Sequence, residues 1–327
     1  MKVLVCCILK MENHYLEEWL QHYINLGFDK VVIYDNNDIT GDYAERIEDL
    51  PLVKEHIDNK FIDVYKIPGE ECVQLKYYNE CYKKYSDYDW LLFVDIDEFL
   101  ILENNNNVKE FLSDEKYDKF DIIHINWKTF SDNELLTVTN NDYSLMSRFT
   151  TPCKEINGIL KRVDKEVKSF VRGGIKNLKF SKNPHTLDNI EVPCCNVLGK
   201  QEKNAWQKSQ VVVHEVAWIN HYICKTVEEY CKTKLIRLGG HTSHKRNLRY
   251  NDLFFFTYNK KTPEKIKLLE QYFPNIRRKM HVVCTVPRKQ VKQAAYAGGF
   301  NKNSSVKKIT ILKNPNTIKT LRYNLYE

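Results

Sequence analysis

The segment DWLLFVDIDEFL, residues 89–100, places three acids, Asp95, Asp97 and Glu98, at the end of a strongly apolar run. Charged residues are seldom buried without a partner or a task, so acids closing a core strand point to chemistry. Side chains alternate between faces along an extended chain. The spacing therefore predicts that Asp95 and Asp97 point to one side and share a hard divalent cation, Mn2+ or Mg2+. Such an ion would neutralise charge on a departing diphosphate. A second polar cluster follows two earlier apolar runs, with Lys10, Glu12 and Asn13 after the first and Asp35, Asn36 and Asn37 after the second. Acids and amides at such positions hydrogen-bond a base and a ribose in nucleotide-binding α/β folds, and the same residue types also make turns and caps.

The elements needed to position these groups are legible over the first hundred residues. VLVCCIL, KVVIYD, FIDVYKI and DWLLFVD read as buried strands. Between the first two, Tyr15, Leu16, Trp19, Leu20, Tyr23 and Ile24 recur at helical spacing, with Gly27 where a cap belongs. A short helix opened by Thr40 and stopped by Pro51 is expected next, and another over 70–86 with Val73, Tyr77 and Cys81 on one side. The βαβαβαβ order predicts an α/β fold with a mostly parallel sheet covered by helices on both faces. Ligands bind such sheets at the carboxyl ends of the strands, where the acids lie. Beyond residue 100 a short helix at 108–112, a strand DIIHINW and one or two strands in VVVHEVAWINHY are expected. A helix capped by Thr226 and stopped by Gly239 follows, while the polar stretch up to about residue 210 shows few periodic segments.

Composition excludes several classes. A 327-residue chain with 43% hydrophobic and 28% charged residues is neither a small stapled scaffold nor a disordered chain. Its ten cysteines are scattered without a CxxC pair, which reads as reduced thiols, Cys72, Cys81 and Cys224 among them serving as small core residues. The apolar start is only seven residues long and no run of about 18 apolar residues occurs, so neither a signal peptide nor a spanning helix is expected, and a cytoplasmic location is. Charge is uneven. Residues 241–327 carry 19 Lys and Arg against four Asp and Glu, or +15, which leaves −8 for residues 1–240. That basic segment suits either a solvated surface or contact with anionic membrane.

Further motifs accompany the acids: Lys10 to Leu20 as K-x-E-N-x-Y-L-x-E-W-L, Tyr34-Asp35-Asn36, Gln74 with Asn79, and Trp90 to Phe99 as W-x-x-F-x-D-I-D-E-F. Ile125-Asn126-Trp127 with Phe130, Arg148-Phe149, Lys168-Ser169, His185, Ile219-Asn220-His221-Tyr222 and Lys225 to Tyr230 follow in order. Together these resemble the glycosyltransferases of the family 2 and family 92 group, over about residues 1–240. The resemblance implies a GT-A domain at 1–240; the basic C-terminal extension at 241–327 lies outside it and is expected from its charge to be membrane-proximal or acceptor-binding.

The same resemblance implies transfer of a hexose from a nucleotide-sugar, usually a UDP-hexose, to a glycan or lipid-linked saccharide acceptor in polysaccharide biosynthesis. Asp95 would contact ribose or metal, Asp97 would bind the metal, and His221, with His185 as second choice, would complete its ligands. Lys10, Glu12, Asn13, Asp35, Asn36 and Gln74 would line the nucleotide-sugar site. The group is mostly inverting, which requires a carboxylate as base on the acceptor hydroxyl. Asp132 in WKTFSDN is the candidate, where Ser131 replaces the family's glycine, and Glu98 and Glu215 are its rivals. Two alternatives are a nucleotidyltransferase acting on sugar phosphates, disfavoured by the lack of a glycine in LKMENHYL, and a nucleic-acid-binding protein using the basic tail, which lacks a reading motif.

Overall fold

Val3–Leu9 (β1) is buried along its length, and its alternation divides it between two cores: Val3, Val5, Cys7 and Leu9 face one, Leu4 and Cys6 the other. The computed structural model describes residues 1–38, 46–70, 73–153, 163–188, 192–203, 208–236 and 252–272, with two short strands at Lys307–Ile309 and Leu321–Tyr323. Leu16–Asn25 (α1) covers the first face with Leu16, Trp19, Leu20 and Tyr23, and positive-φ Gly27 ends the turn that returns the chain to Lys30–Asp35 (β2). Pro51–Asp58 (α2) and Ile62–Lys66 (β3) follow. Val73–Lys84 (α3) covers the second face with Val73, Tyr77, Tyr78, Cys81 and Tyr82, and leads to Trp90–Phe93 (β4). Each large apolar side chain so buried contributes about 1.5–3 kcal/mol.

β3, β2, β1 and β4 run parallel in that spatial order, so their carboxyl ends share one edge. The expected α/β class and mostly parallel sheet with helices on both faces are present. One local expectation changes. Pro51 starts α2 instead of stopping a helix, since its fixed φ and missing N–H suit a first helical position. Thr40, Cys72 and Gly239 lie outside the described residues.

Beyond β4 the order continues with Glu98–Leu102 (β5), Val108–Leu112 (α4), Ile122–Thr129 (β6), Leu145–Arg148 (α5) and Val167–Arg172 (β7). Lys179–Phe180 (β8) pairs with Leu187–Asp188 (β9), and Cys194–Asn196 (β10) and Gln201–Glu202 (β11) close the sheet's far edge. β7 lies inside the stretch whose sequence shows little periodicity. It inserts antiparallel between β4 and β6, and β6 in turn pairs parallel with Ala217–His221 (β12), which runs antiparallel to β5. Gly173 ends β7 where a Cβ would lie 2.0 Å from the Tyr88 carbonyl oxygen and 2.7 Å from that of Ser86. Gly173→Ala is therefore expected to lower the unfolding free energy by about 1–3 kcal/mol, read from the urea midpoint.

Val227–Lys232 (α6) opens on Thr226 with a full capping box to Glu229. Asp252–Tyr258 (α7) and Pro263–Tyr272 (α8) pack against α6 in a third apolar cluster that includes Cys224, Tyr230, Phe255 and Leu269. These helices are the part of the expected basic extension within the described residues; most of 241–327 lies outside them. Eight free cysteines, Cys81 and Cys224 among them, are buried there. Among the described residues no helix is long and apolar enough to cross a membrane.

Candidate active site

The chain leaves β4 after Phe93, turns through Asp95 and Asp97, and re-enters extended structure at Glu98. That turn breaks the period of two on which the expected shared face rested. Each aspartate consequently meets its own cations. Asp95, with 28% of its side chain exposed, accepts from Gln74 Nε2 at 3.0 Å and from Lys168 Nζ at 3.2 Å. Asp97 is buried, and its Oδ2 accepts from Lys225 Nζ at 3.1 Å and Lys234 Nζ at 2.7 Å. Lys225 also reaches Glu12 Oε1 at 3.1 Å. Glu98 folds back beneath the turn, its Oε2 accepting the Asp95 N–H at 3.0 Å and lying 3.2 Å from Lys168.

Strand pairing delivers the histidine. β12 lies antiparallel to β5 with His221 opposite Glu98, which brings His221 Nε2 to 3.8 Å from Asp97 Oδ1 and 4.0 Å from Glu98 Oε1. The ring lies against Trp127 at a centroid distance of 4.2 Å, and Trp127 in turn meets His185 edge-on. His185 Nδ1 is tied to the Val167 carbonyl at 3.0 Å, at the start of β7. Trp127 is buried between the two imidazoles.

Burial sets the charge states. It pushes both His221 and His185 down to about 3, against the pull of Asp97 on the first and with Lys168 adding to the effect on the second. Both are neutral imidazoles at pH 7, the form that ligates metals. Burial also pushes Glu98 up to about 8 although Lys168 opposes it. The same force works to raise Asp95, but Lys168 outweighs it and holds that carboxyl below its ordinary range.

The second expected cluster occupies the carboxyl ends of β1 and β2. Asp35 Oδ2 pairs with Lys66 at 2.6 Å, and its Oδ1 accepts from the Asn37 backbone and side chain. Asn36 donates its amide hydrogens to the Ile67 and Glu70 carbonyls, and so fixes the loop that follows β3. Lys10 Nζ lies 3.6 Å from Asp38. Asn13 is buried and accepts from Asn37, while its Nδ2 finds no hydrogen-bond partner in the structure. Asp35 and Asn36, expected near the base and ribose, both bond neighbouring protein groups, as short acids and amides after strands do for exposed backbone and turn groups. Asp132, the expected acceptor base, is buried, with Oδ2 2.5 Å from Lys265 Nζ of α8 and Oδ1 accepting the Glu134 N–H. Of its rivals, Glu98 is closed to solvent, and exposed Glu215 precedes β12, at the end opposite His221.

Sequence reasoning missed the three lysines, 168, 225 and 234, as a group. Their positions are 57 and 9 residues apart along the chain, and nothing local marks them as neighbours. Asp97 Oδ1 and the neutral His221 face each other at 3.8 Å, while among the described residues no group of three or more His, Cys, Asp or Glu is placed to hold a metal ion.

The sequence matches the family model described as Glycosyltransferase family 92 over residues 2–223. No curated protein matches it. Among solved structures, it is similar to mannosyltransferase PcManGT from Pyrobaculum calidifontis in complex with GDP-Man and Mn2+, at 14% identity over 38% of this chain and 35% of that one, with TM-score 0.29. It is also similar to GalNAc-T7 with UDP, GalNAc and Mn2+, at 12% identity over 87% and 57%, TM-score 0.36. A cytidylyltransferase from Leptospira borgpetersenii serovar Hardjo-bovis aligns at 15% identity over 38% and 54%, TM-score 0.25. The chain spans between about a third and somewhat over half the length of these proteins.

Proposed function

The chain belongs to glycosyltransferase family 92, and from that membership we propose a metal-dependent, inverting hexosyltransferase that moves a hexose from a nucleotide-sugar, first of all a UDP-hexose, to a glycan or lipid-linked saccharide. The observation that supports this most is the pairing of Asp97 with neutral His221, beside Asp95, at the carboxyl edge of the parallel strands. Asp95, Asp97 and His221 would hold Mn2+ or Mg2+, which supplies charge neutralisation to the leaving diphosphate. Lys168 keeps Asp95 ionised and in place. Gln74 fixes the other oxygen of the same carboxylate, and so acts through Asp95. Asn13 offers an unpaired amide N–H to the nucleotide, Glu12 and Lys10 border it, and Asp35 and Asn36 shape its walls by holding Lys66 and the loop after β3. The basic extension is assigned to the anionic inner face of a membrane, near lipid-linked acceptors.

The deciding experiment is a panel of UDP-sugars and GDP-mannose turned over with Mn2+, with Mg2+, and after chelation. Turnover is expected with the metal, lost on chelation and restored by Mn2+. Metal-independent turnover would overturn the reading, and release of pyrophosphate in place of a nucleoside diphosphate would move it to nucleotidyl transfer. Asp132 is assigned to holding α8 through Lys265. Asp132→Asn is accordingly expected to lower the urea midpoint while kcat of the folded fraction stays within about tenfold, against the 100-fold or larger loss that removing a general base brings.

A further inference from the structure

β6 and β12 add their carboxyl ends to the sheet edge that carries the acids. β7 is antiparallel to both β4 and β6, so β6 runs with β4, and β12 runs with β6. Past those ends the chain builds a small polar ledge beside His221. The Phe130 N–H donates to the His221 carbonyl at 3.1 Å, and Phe130 bridges Pro152. Ser131 donates to the Thr151 carbonyl through both its N–H and its Oγ, at 3.0 and 3.1 Å. Asn133 closes the pair by accepting the Thr151 N–H and donating to Thr150 Oγ1. Thr150 and Thr151 are exposed and Ser131 and Asn133 half-buried, so the ledge presents neutral hydroxyls and an amide. Of its two acids, Asp132 turns inward and Glu134 pairs with Lys260.

The ledge is anchored from beneath by the segment that carries α7 and α8. The Asp132 N–H donates to Asn259 Oδ1 at 2.7 Å, and the Asp132 carboxylate meets Lys265 with at most 2% of either side chain exposed. Asn259 is itself fixed, donating to the Phe255 carbonyl at 3.0 Å. Asn133 and Glu134 follow at φ 48° and 63°, both in the left-handed region. A buried ion pair contributes little net stability, and two successive left-handed residues cost backbone strain. What the arrangement secures is position, with the ledge held at one height beside His221.

We propose that the ledge of residues 130–134 and 150–152 is the acceptor site, taking an uncharged saccharide through its hydroxyls, and that Asn259 and Lys265 are positioning residues that set its height. This rests on the inverting-transfer reading above. The polar groups after β1 and β2 and the acids after β4 put the departing nucleotide on one side of His221. Single displacement brings the acceptor to the opposite face of the hexose, and β6 and β12 lie on that side along the edge. Hydroxyl and amide side chains both donate and accept, as saccharide hydroxyls do, so the two can exchange hydrogen bonds in either direction. α7 and α8, although beyond residue 240, thereby belong to the transferase site.

The test follows nucleoside diphosphate release by the full chain from UDP-hexoses and GDP-mannose, alone and with methyl β-glucoside, methyl β-galactoside, methyl α-mannoside, lactose or cellobiose. Saccharide from this panel is expected to raise release above hydrolysis. Asn259→Ala and Thr150→Val should each raise the saccharide KM by about tenfold while the donor KM holds, a split that a merely structural role would not give. Hydrogen exchange supplies a reading that needs no variant: bound saccharide should slow exchange across 130–134 and 150–152. Unchanged saccharide KM values in both folded variants overturn the proposal, as does protection confined to other segments. So does donor hydrolysis that no saccharide stimulates. Failure of every donor to turn over would defeat the enzymatic reading, and the proposal with it, a result distinct from hydrolysis without transfer.

Discussion

Asp97→Asn is expected to lower hexose transfer by about a thousandfold or more, the rate equivalent of about 4 kcal/mol of transition-state stabilisation lost with the proposed metal ligand. The substitution keeps the shape of the side chain and removes its charge, so the loss reports electrostatics. A second effect accompanies it. Lys225 and Lys234 are buried on Asp97, and an amide removes a counter-ion from each while Lys225 keeps Glu12, a change worth about 3–5 kcal/mol of stability for a broken buried pair. The two consequences separate by experiment, with kcat measured well below the unfolding midpoint and stability measured in urea. Metal-activated turnover within tenfold of wild type would show that Asp97 holds lysines and nothing else. At Asp95 the same change should be milder in stability, because that side chain is partly exposed and its single lysine keeps Glu98 as a partner.

The sheet was readable because β1 to β4 and the helices between them each carry their period in adjacent residues. Val3 to Leu9 alternate between two cores, and Trp19, Leu20 and Tyr23 share one helical face. The acids at residues 95–98 were equally visible, as an abrupt end to an apolar run. Their partners were not. Lys168 arrives on β7, a strand whose sequence VKSFVR is too short to announce itself, and Lys225 and Lys234 flank a helix more than 120 residues beyond Asp97. Local periodicity carries no information on which distant cation meets which acid. The turn at 95–97 was hidden for a related reason: an apolar run with acids predicts a strand's continuation, and it is the Glu98 side chain, accepting the Asp95 N–H, that closes the turn. His221 was found by its motif, while its placement opposite Glu98 follows from the pairing of β12 with β5, a contact between segments over 110 residues apart.

Arg148→Met is expected to cost about 3–5 kcal/mol of stability, among the largest effects outside the proposed metal site, because it breaks a buried ion pair from one side. Arg148 donates to both oxygens of Glu229 at 3.0 and 2.7 Å, and the same carboxylate accepts from Tyr15 Oη at 2.8 Å and from the Thr226 N–H at 3.0 Å. This network ties the segment before α1 to α5 and to the first turn of α6, next to Lys225. Burial works to raise Glu229, but Arg148 outweighs it and the carboxyl lies below its ordinary range. A depressed folded value means the pair contributes fully above the unfolded carboxylate range and is lost as pH falls through the folded value. The stability gap between wild type and Arg148→Met should therefore be widest near neutrality and narrow in acid, as pH falls below the ordinary carboxylate range and the wild-type carboxyl takes up its proton. Arg148→Lys should recover little of it, since an ammonium cannot make the two parallel bonds. A gap that does not narrow at any acid pH at which both proteins stay folded would assign the loss to packing over Phe149, whose ring lies 4.7 Å from the guanidinium, rather than to charge. Because Thr226 and Glu229 set the start of α6, Arg148→Met should also loosen the first turn of that helix, with the capping box as the mechanical link.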